Sequence, residues 1–208
     1  MIDFGINVGS ELSGNHFGII LNKTDNVKNN TLTVLPLTSK ENRYNLKLDE
    51  MISDKSIALL DDYMDKENYV VTCISKCIVS DVGMDNTPLK NAAKIALSLA
   101  GSCIEIEEAR NCAKREGLYQ NNLLDIEKLN KRALLGHNKI SKIHELDAIY
   151  KKYHKTSYVS YTKIQTISKD RIIYINEYDP CGKIKVSNET LNMIDNKIIE
   201  IYTNKISI

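Results

Sequence analysis

Histidine, hydroxyl and lysine side chains lie where apolar segments begin or end near the start of the chain. His16 opens an apolar run directly after a polar loop that is rich in glycine and serine. Thr38 ends a second apolar run and is followed by Ser39 and Lys40. An imidazole exchanges a proton near neutral pH, hydroxyl groups donate hydrogen bonds, and an ammonium group neutralises negative charge. Together these groups suit the binding and cleavage of a phosphodiester without a metal ion.

The two apolar runs, residues 16–23 and 31–37, predict a β-hairpin. They are rich in β-branched residues and are separated by an Asn- and Asp-rich stretch that is typical of a turn. If the strands pair antiparallel, His16 and Thr38 lie at the same end of the sheet, because the runs have similar lengths. The carboxylate of Glu11 would then lie nearby. The pattern also allows a second interpretation, in which His16 only begins a strand and Thr38 only forms a Ser/Thr turn.

Four short motifs follow one another along the chain, in residues 9–21, 32–40, 157–172 and 182–198. The first contains Gly-Ser-Glu before an apolar strand, the second ends in Thr-Ser-Lys, and the third ends in Ser-Lys-Asp-Arg-Ile. In this order they resemble the MazF/PemK family of toxin–antitoxin endoribonucleases. The resemblance covers about residues 3–60 and 157–202 and does not cover 84–155.

The resemblance implies a compact SH3-like barrel that forms a homodimer. Such a protein cleaves single-stranded RNA, requires no metal or other cofactor, and is silenced by an antitoxin. Position by position, the family's catalytic threonine falls on Thr38, with Ser39 beside it. Ser10 and Glu11 fall in the substrate-binding loop.

The chain departs from the family pattern at His16-Phe17, where the family usually has Arg-Pro. His16 becomes the best candidate for proton transfer, and Lys40 becomes a candidate contact to phosphate. The expected reaction is attack by the ribose 2′-hydroxyl, which leaves 2′,3′-cyclic phosphate and 5′-hydroxyl ends. Whether His16 acts as base or acid, and whether Glu11 moves a proton or contacts a base, is left open. Two alternatives also remain: a related toxin restrained by an RNA antitoxin, and a barrel that binds RNA or protein without cleaving it.

The strands and helices that must position these residues are predicted from the sequence pattern. Their order indicates an α+β fold, mainly β, in one domain of residues 1–208. It is an SH3-like barrel with a helical insertion at about 84–155 and a C-terminal helix capped by Ser187. Further strands are predicted at 56–60, 69–79, 158–167, 171–175 and 183–186. Helices are predicted from Thr87 to about Gly101, at 104–115, at 123–135 before a stop at Gly136, and at about 140–153 with Asn138 as a possible cap. Apart from residues 56–60, most of the acidic stretch 41–68 is predicted to be solvated loop.

Composition narrows the class of protein. The chain is 42% hydrophobic and 26% charged, with a formal net charge of +1, which excludes a disordered chain and a polycation. Its apolar runs are much shorter than the roughly 20 residues of a membrane span. Residues 128–156 carry eight Lys or Arg against two Asp or Glu. This segment is a candidate contact for RNA or for an acidic antitoxin, or else the solvated face of surface helices.

The five cysteines are an odd number in a chain without an export signal, which predicts reduced thiols in a cytosol. Cys73 and Cys77 are expected on one face of a strand. Because no second pair of ligands accompanies them, we expect buried, unreactive thiols and no zinc site.

Overall fold

The computed structural model describes residues 1–6, 8–9, 12–26, 28–48, 52–82, 87–101 and 103–203. The fold is α+β, and about half of the chain is helical, so the expectation of a mainly β protein is wrong. The strands are β1 (Ile2–Asp3), β2 (Asn15–His16), β3 (Gly18–Ile20), β4 (Thr31–Thr38), β5 (Leu46–Lys47), β6 (Tyr119–Gln120), β7 (Leu123–Leu124), β8 (Tyr158–Val159) and β9 (Gln165–Ser168). The helices are α1 (Ile52–Asp81), α2 (Thr87–Ala100), α3 (Ile106–Arg115), α4 (Ile126–Lys152) and α5 (Asn188–Tyr202).

The chain divides into two compact units. The sheet unit comprises Met1–Ala58 and Leu146–Ile208, and the helical unit comprises Leu59–Glu145. In the part of the chain that is described, no helix is both long enough and apolar enough to span a membrane.

Strand β4 is the centre of the sheet unit. It pairs antiparallel with β3 along one side, in the register Ile19 with Leu35, which confirms the predicted hairpin. Its other side pairs with β9 near its start and with β8 near its end, and β8 also pairs with β5. Among the described residues these pairings form an antiparallel sheet that does not close into a barrel.

The residues of β4 are buried on both faces of the sheet, which explains their near-continuous apolar sequence. Leu35 and Leu37 pack into a cluster that includes Ile194 of α5. Leu32 and Val34 pack into a second cluster beside Phe4. Because neighbouring residues of a strand point to opposite faces, β4 joins two small cores.

The last helix agrees with its prediction. The Ser187 hydroxyl accepts a hydrogen bond from the backbone N–H of Thr190 at 3.1 Å, as expected of an N-cap. Ile194, in the middle of α5, is completely buried. The cap therefore starts a helix whose apolar side covers the sheet.

The strands predicted at 56–60 and 69–79 are wrong, because both segments belong to the single helix α1. The prediction of solvated loop for most of 41–68 also fails from Ile52 onward. Leu60, Ile74 and Ile78 are buried along α1, at separations that fit whole numbers of helical turns. The β-branched residues of this segment therefore lie on a helix, and their burial in the core outweighs their local preference for strands.

The stop predicted at Gly136 and the cap predicted at Asn138 are also wrong. Helix α4 runs through both positions without a break. Gly136 is buried, and a β-carbon at this position would lie 2.7 Å from Oε1 of Glu67. The glycine therefore allows a close approach between α4 and a buried side chain.

Four shorter predictions need correction. Leu123–Leu124 is a strand, which pairs with β6 across a tight turn, and α4 begins only at Ile126. Both central turn residues, Asn121 and Asn122, have positive φ, as the favoured two-residue hairpin turn requires. Residues 183–186 form no strand, and 171–175 contribute only a bridge between Ile172 and Ile2. Of the predicted strand 158–167, only β8 and most of β9 are strand.

The helical unit has a core in which cysteines take part. Cys73 and Cys77 are fully buried and pack with Cys112, Leu118 and Leu129. Their predicted burial is confirmed, although they lie on a helix and not on a strand.

Candidate functional site

The hairpin register brings His16 and Thr38 to the same end of the sheet. Beyond the paired residues of β3 and β4, the N–H of Leu37 donates to the carbonyl oxygen of Phe17 at 2.8 Å. Continued by one residue, this register places His16 across from Thr38. Strand β2, which contains His16, lies against β4. The predicted placement of the two residues at one sheet end is therefore confirmed.

His16 is held by its backbone and by its ring. Its backbone pairs with Ile2 in the β1–β2 ladder. Its Nε2 lies 3.2 Å from the carbonyl oxygen of Ser13, and its ring meets that of Phe4 edge to face. A carbonyl can only accept, so this contact requires the proton on Nε2. In the neutral ring Nδ1 then carries the lone pair, and no described residue bonds to it.

Thr38 ends β4 and begins a turn. Its Oγ1 accepts a hydrogen bond from the backbone N–H of Lys40 at 3.1 Å, which is the Ser/Thr turn that the sequence left open. A hydroxyl that accepts one bond still has its own hydrogen to donate. On its other side Thr38 pairs with Tyr158 of β8.

The remaining predicted residues fall into two groups. Ser39 and Lys40 follow Thr38 directly, and both are exposed at the end of β4 that His16 shares. Ser10 and Glu11 lie outside the described residues. Among those that are described, no hydrogen bond joins His16 to Thr38, Ser39 or Lys40.

Arg43 and Tyr44 form a pair of a basic and an aromatic side chain in the loop that follows Thr38, residues 39–45. The sequence analysis did not identify this pair. The guanidinium carbon of Arg43 is 4.5 Å from the ring centroid of Tyr44, and Tyr44 is 49% exposed. The loop is anchored at both ends: Asn45 Nδ2 donates to the Lys40 carbonyl at 2.8 Å, and the Tyr161 hydroxyl donates to the Arg43 carbonyl at 3.1 Å. An aromatic face beside cationic groups is the arrangement on which single-stranded bases stack. The signal in the sequence was the adjacent Arg and Tyr just after a strand end.

Tyr158 pairs with Thr38 in the sheet, but its hydroxyl is a poor candidate for a catalytic base. Burial raises the pKa of its hydroxyl, and the nearby carboxylate of Glu41 raises it further. The side chain therefore stays a neutral phenol at neutral pH. His16 remains the proton-transfer candidate that the structure describes at this end.

The basic segment 128–156 carries less available charge than its composition suggests. Four of its cations form ion pairs with nearby carboxylates: Lys128 with Asp125, Arg132 and Lys139 with Glu67, and Lys151 with Asp147. These pairs favour the interpretation of the segment as the solvated face of surface helices over that of a continuous RNA-binding surface.

In the described ranges, no group of three or more His, Cys, Asp and Glu side chains is arranged to hold a metal ion. Comparison with family models, with curated proteins and with solved structures finds no match to this chain.

Proposed function

We propose that this chain is an endoribonuclease toxin that cleaves single-stranded RNA without a metal ion, and that its open antiparallel sheet is a variant of the SH3-like barrel of the MazF/PemK proteins. It acts in the cytoplasm as a homodimer and is held inactive by an antitoxin. The observation that carries the proposal is the antiparallel register that brings His16 and Thr38 to one sheet end, with Lys40 exposed beside them.

The chemistry assigns a role to each of these groups. The ribose 2′-oxygen forms a bond to phosphorus while the bond from phosphorus to the 5′-oxygen breaks. Nδ1 of His16 is suited to take the 2′-hydroxyl proton, and a second group must return a proton to the 5′-oxygen. The Thr38 hydroxyl donates a hydrogen bond to a phosphoryl oxygen, and the ammonium group of Lys40 stabilises the developing charge.

The loop of residues 39–45 supplies binding. A base stacks on the exposed ring of Tyr44, and the guanidinium group of Arg43 lies close enough to contact the adjacent phosphate. Stacking tolerates any base, so this contact provides affinity for single strands without fixing a sequence.

A second candidate function is RNA binding without cleavage. It is favoured by the Arg43–Tyr44 pair, because a cation beside an exposed aromatic ring binds single strands without acting on the reacting atoms. The same surface would then hold RNA and leave it intact.

The two functions separate in one experiment. Purified protein is incubated with end-labelled single-stranded RNA in EDTA, beside the same RNA carrying a single 2′-deoxy substitution at the mapped cut site. We expect cleavage to 2′,3′-cyclic phosphate and 5′-hydroxyl ends, and resistance of the deoxy substrate. Binding with no cleavage would establish the second function. Cleavage that needs Mg²⁺ and leaves 5′-phosphates would contradict the proposed chemistry.

A further inference from the structure

Strand β3 has one side that pairs with β4 and one side that pairs with nothing described. Its ladder with β4 continues through the carbonyl of Phe17 and through the N–H of Leu21, which donates to Thr33 at 2.9 Å. In an antiparallel ladder the alternate residues, Gly18 and Ile20, point their N–H and C=O groups the other way.

The partner of Gly18 supports this orientation. Gly18 lies opposite Pro36, which has no N–H to donate. The Pro36 carbonyl instead accepts from the N–H of Ser160 at 3.0 Å, on the far side of β4. Among the described residues nothing bonds to the backbone groups of Gly18 or Ile20. This edge therefore offers two donors and two acceptors at the spacing of a β-ladder.

A cavity of about 540 Å³ lies along this open edge. Gly18 and Ile20 line it on one side, and residues 180–182 and 184–186 line it on another. Phe17, Leu37 and Tyr150 contribute apolar or aromatic surface. The volume lies within the range of pockets that bind ligands of a few hundred daltons.

The charge of the cavity has one sign. Lys23 and Lys185 line it and are exposed to solvent. No Asp or Glu is found among its described lining residues. An occupant with apolar groups for the interior and carboxylates for the rim would match both features.

We propose that an extended acidic peptide from a partner protein binds here by adding a strand to β3. The peptide exchanges backbone hydrogen bonds with Gly18 and Ile20, places alternate apolar side chains in the cavity, and directs its carboxylates to Lys23 and Lys185. A small molecule would leave the open ladder unused. A second copy of this chain would have to bring its whole folded sheet into a space that residues 180–186 bound. This inference is independent of the proposed nuclease activity.

The test uses the full chain and a capped hexapeptide, Glu-Val-Glu-Val-Glu-Val, with Lys-Val-Lys-Val-Lys-Val as the matched control. Amide hydrogen exchange is followed by NMR at Gly18 and Ile20. We expect the acidic peptide to slow exchange at both amides by roughly tenfold or more and the basic peptide to have no effect, because the two differ only in charge. Absence of protection by the acidic peptide at millimolar concentration would overturn the proposal.

Variants at Ile20 isolate the backbone contribution. Ile20 is 41% exposed, and its N–H points away from β4, so proline is tolerable at this edge position. Ile20→Pro and Ile20→Ala both shorten the side chain, but only Ile20→Pro removes the donor. We expect Ile20→Pro to bind the acidic peptide about three- to tenfold more weakly than Ile20→Ala, the effect of one lost hydrogen bond. Equal affinities would contradict strand addition.

Charge reversal tests the rim without touching the strand. The double variant Lys23→Glu, Lys185→Glu should lose affinity for the acidic peptide and gain affinity for the basic one. Lys152→Glu, an exposed change on α4, should leave both affinities unchanged. Protection of the Gly18 and Ile20 amides that rises with protein concentration alone would identify a second copy as the occupant and overturn the proposal.

Discussion

The backbone N–H of Leu37 donates a hydrogen bond to the carbonyl oxygen of Phe17 at 2.8 Å. This bond extends the β3–β4 ladder to the last residues before the candidate site. A slip of the register by one residue would turn every side chain of β3 to the opposite face of the sheet. Because Ile19 of β3 is 7% exposed and its neighbour Ile20 is 41% exposed, such a slip would expose a buried side chain, and this cost specifies the register that places His16 across from Thr38.

Substitution of the two residues at this sheet end tests their catalytic roles. We expect His16→Ala and Thr38→Ala each to reduce RNA cleavage about 100-fold or more, because in the proposed mechanism each removes a group that acts on the reacting atoms. Thr38→Ser keeps a hydroxyl in place and should retain most activity. Cleavage rates on a defined RNA measure the effect, and growth inhibition on expression should follow them.

A control separates catalysis from folding. His137→Ala changes an exposed histidine of the helical unit and should cleave like the unchanged protein. Circular dichroism and thermal unfolding should show that all four variants keep the fold. Full cleavage by a folded His16→Ala variant would remove His16 from the mechanism.

The hairpin could be predicted because its signal is local. Two β-branched runs of similar length and a polar turn specify an antiparallel pair, and the pair specifies which ends meet. Helix α1 could not be identified in this way. Cys73 and Cys77, four residues apart, share a face in a strand of period 2 and also in a helix of period 3.6. Their spacing therefore predicts burial correctly but cannot distinguish the two structures.

The missed parts of the candidate site depend on contacts between distant residues. The loop that presents Arg43 and Tyr44 is anchored by Tyr161, which lies 118 positions further along the chain from Arg43. No local pattern gives that contact. The helix end predicted at Gly136 was wrong for a similar reason. This glycine makes room for Glu67 of helix α1 and does not end its own helix, α4.

Gly136 gives a prediction in which two effects oppose each other. Alanine in a helix interior is favoured over glycine by about 1 kcal/mol. At this position, however, the added carbon would displace the Glu67 carboxylate, which is 2% exposed and bonded to Arg132 and Lys139 at 2.5 and 2.9 Å. Breaking a buried ion pair costs about 3–5 kcal/mol. We therefore expect Gly136→Ala to lower the free energy of unfolding by about 2–4 kcal/mol, measured in urea.

Two further variants check the cause. Asn138→Ala, an exposed change on the same helix, should be neutral or slightly stabilising. A Glu67→Ala background removes the closest contact and leaves only that with Arg132, at the end of a flexible side chain, so Gly136→Ala should then stabilise the protein. If Gly136→Ala destabilised both backgrounds equally, contact with Glu67 could not be the reason.

The Glu67 ion pairs also predict a dependence of stability on pH. Burial raises the pKa of the Glu67 carboxyl, but hydrogen bonds from Arg132 and Lys139 more than offset this, and the pKa lies below its ordinary value. A carboxyl with a lowered pKa in the folded state stabilises the protein fully above its unfolded pKa of about 4.3. That contribution is lost as the pH falls through the folded pKa.

The corresponding measurement compares unfolding in urea between pH 6 and pH 3. We expect the unfolding free energy of the unchanged protein to fall over this range more steeply than that of Glu67→Gln, which has no carboxyl to protonate. Glu145→Gln, an exposed change on α4, should keep the original slope. Identical slopes for Glu67→Gln and the unchanged protein would show that the pairs do not contribute to acid stability.

The cysteines should react with a thiol reagent in an order that follows their environments. Burial, followed by contact with Cys112, raises the pKa of Cys73 to about 12, and burial also raises the pKa of Cys77. Since only the thiolate attacks, both thiols are protected by their protonation as well as by their burial. Cys103 is exposed and Cys181 is partly exposed.

With an aromatic disulfide reagent at neutral pH, we expect Cys103 to react first, Cys181 more slowly, and Cys73, Cys77 and Cys112 only on unfolding. The variant Cys103→Ser should lose the fast phase alone, and guanidinium should release all remaining thiols together. Rapid reaction of more than two thiols in the native protein would mean that the core of the helical unit opens far more readily than its packing implies.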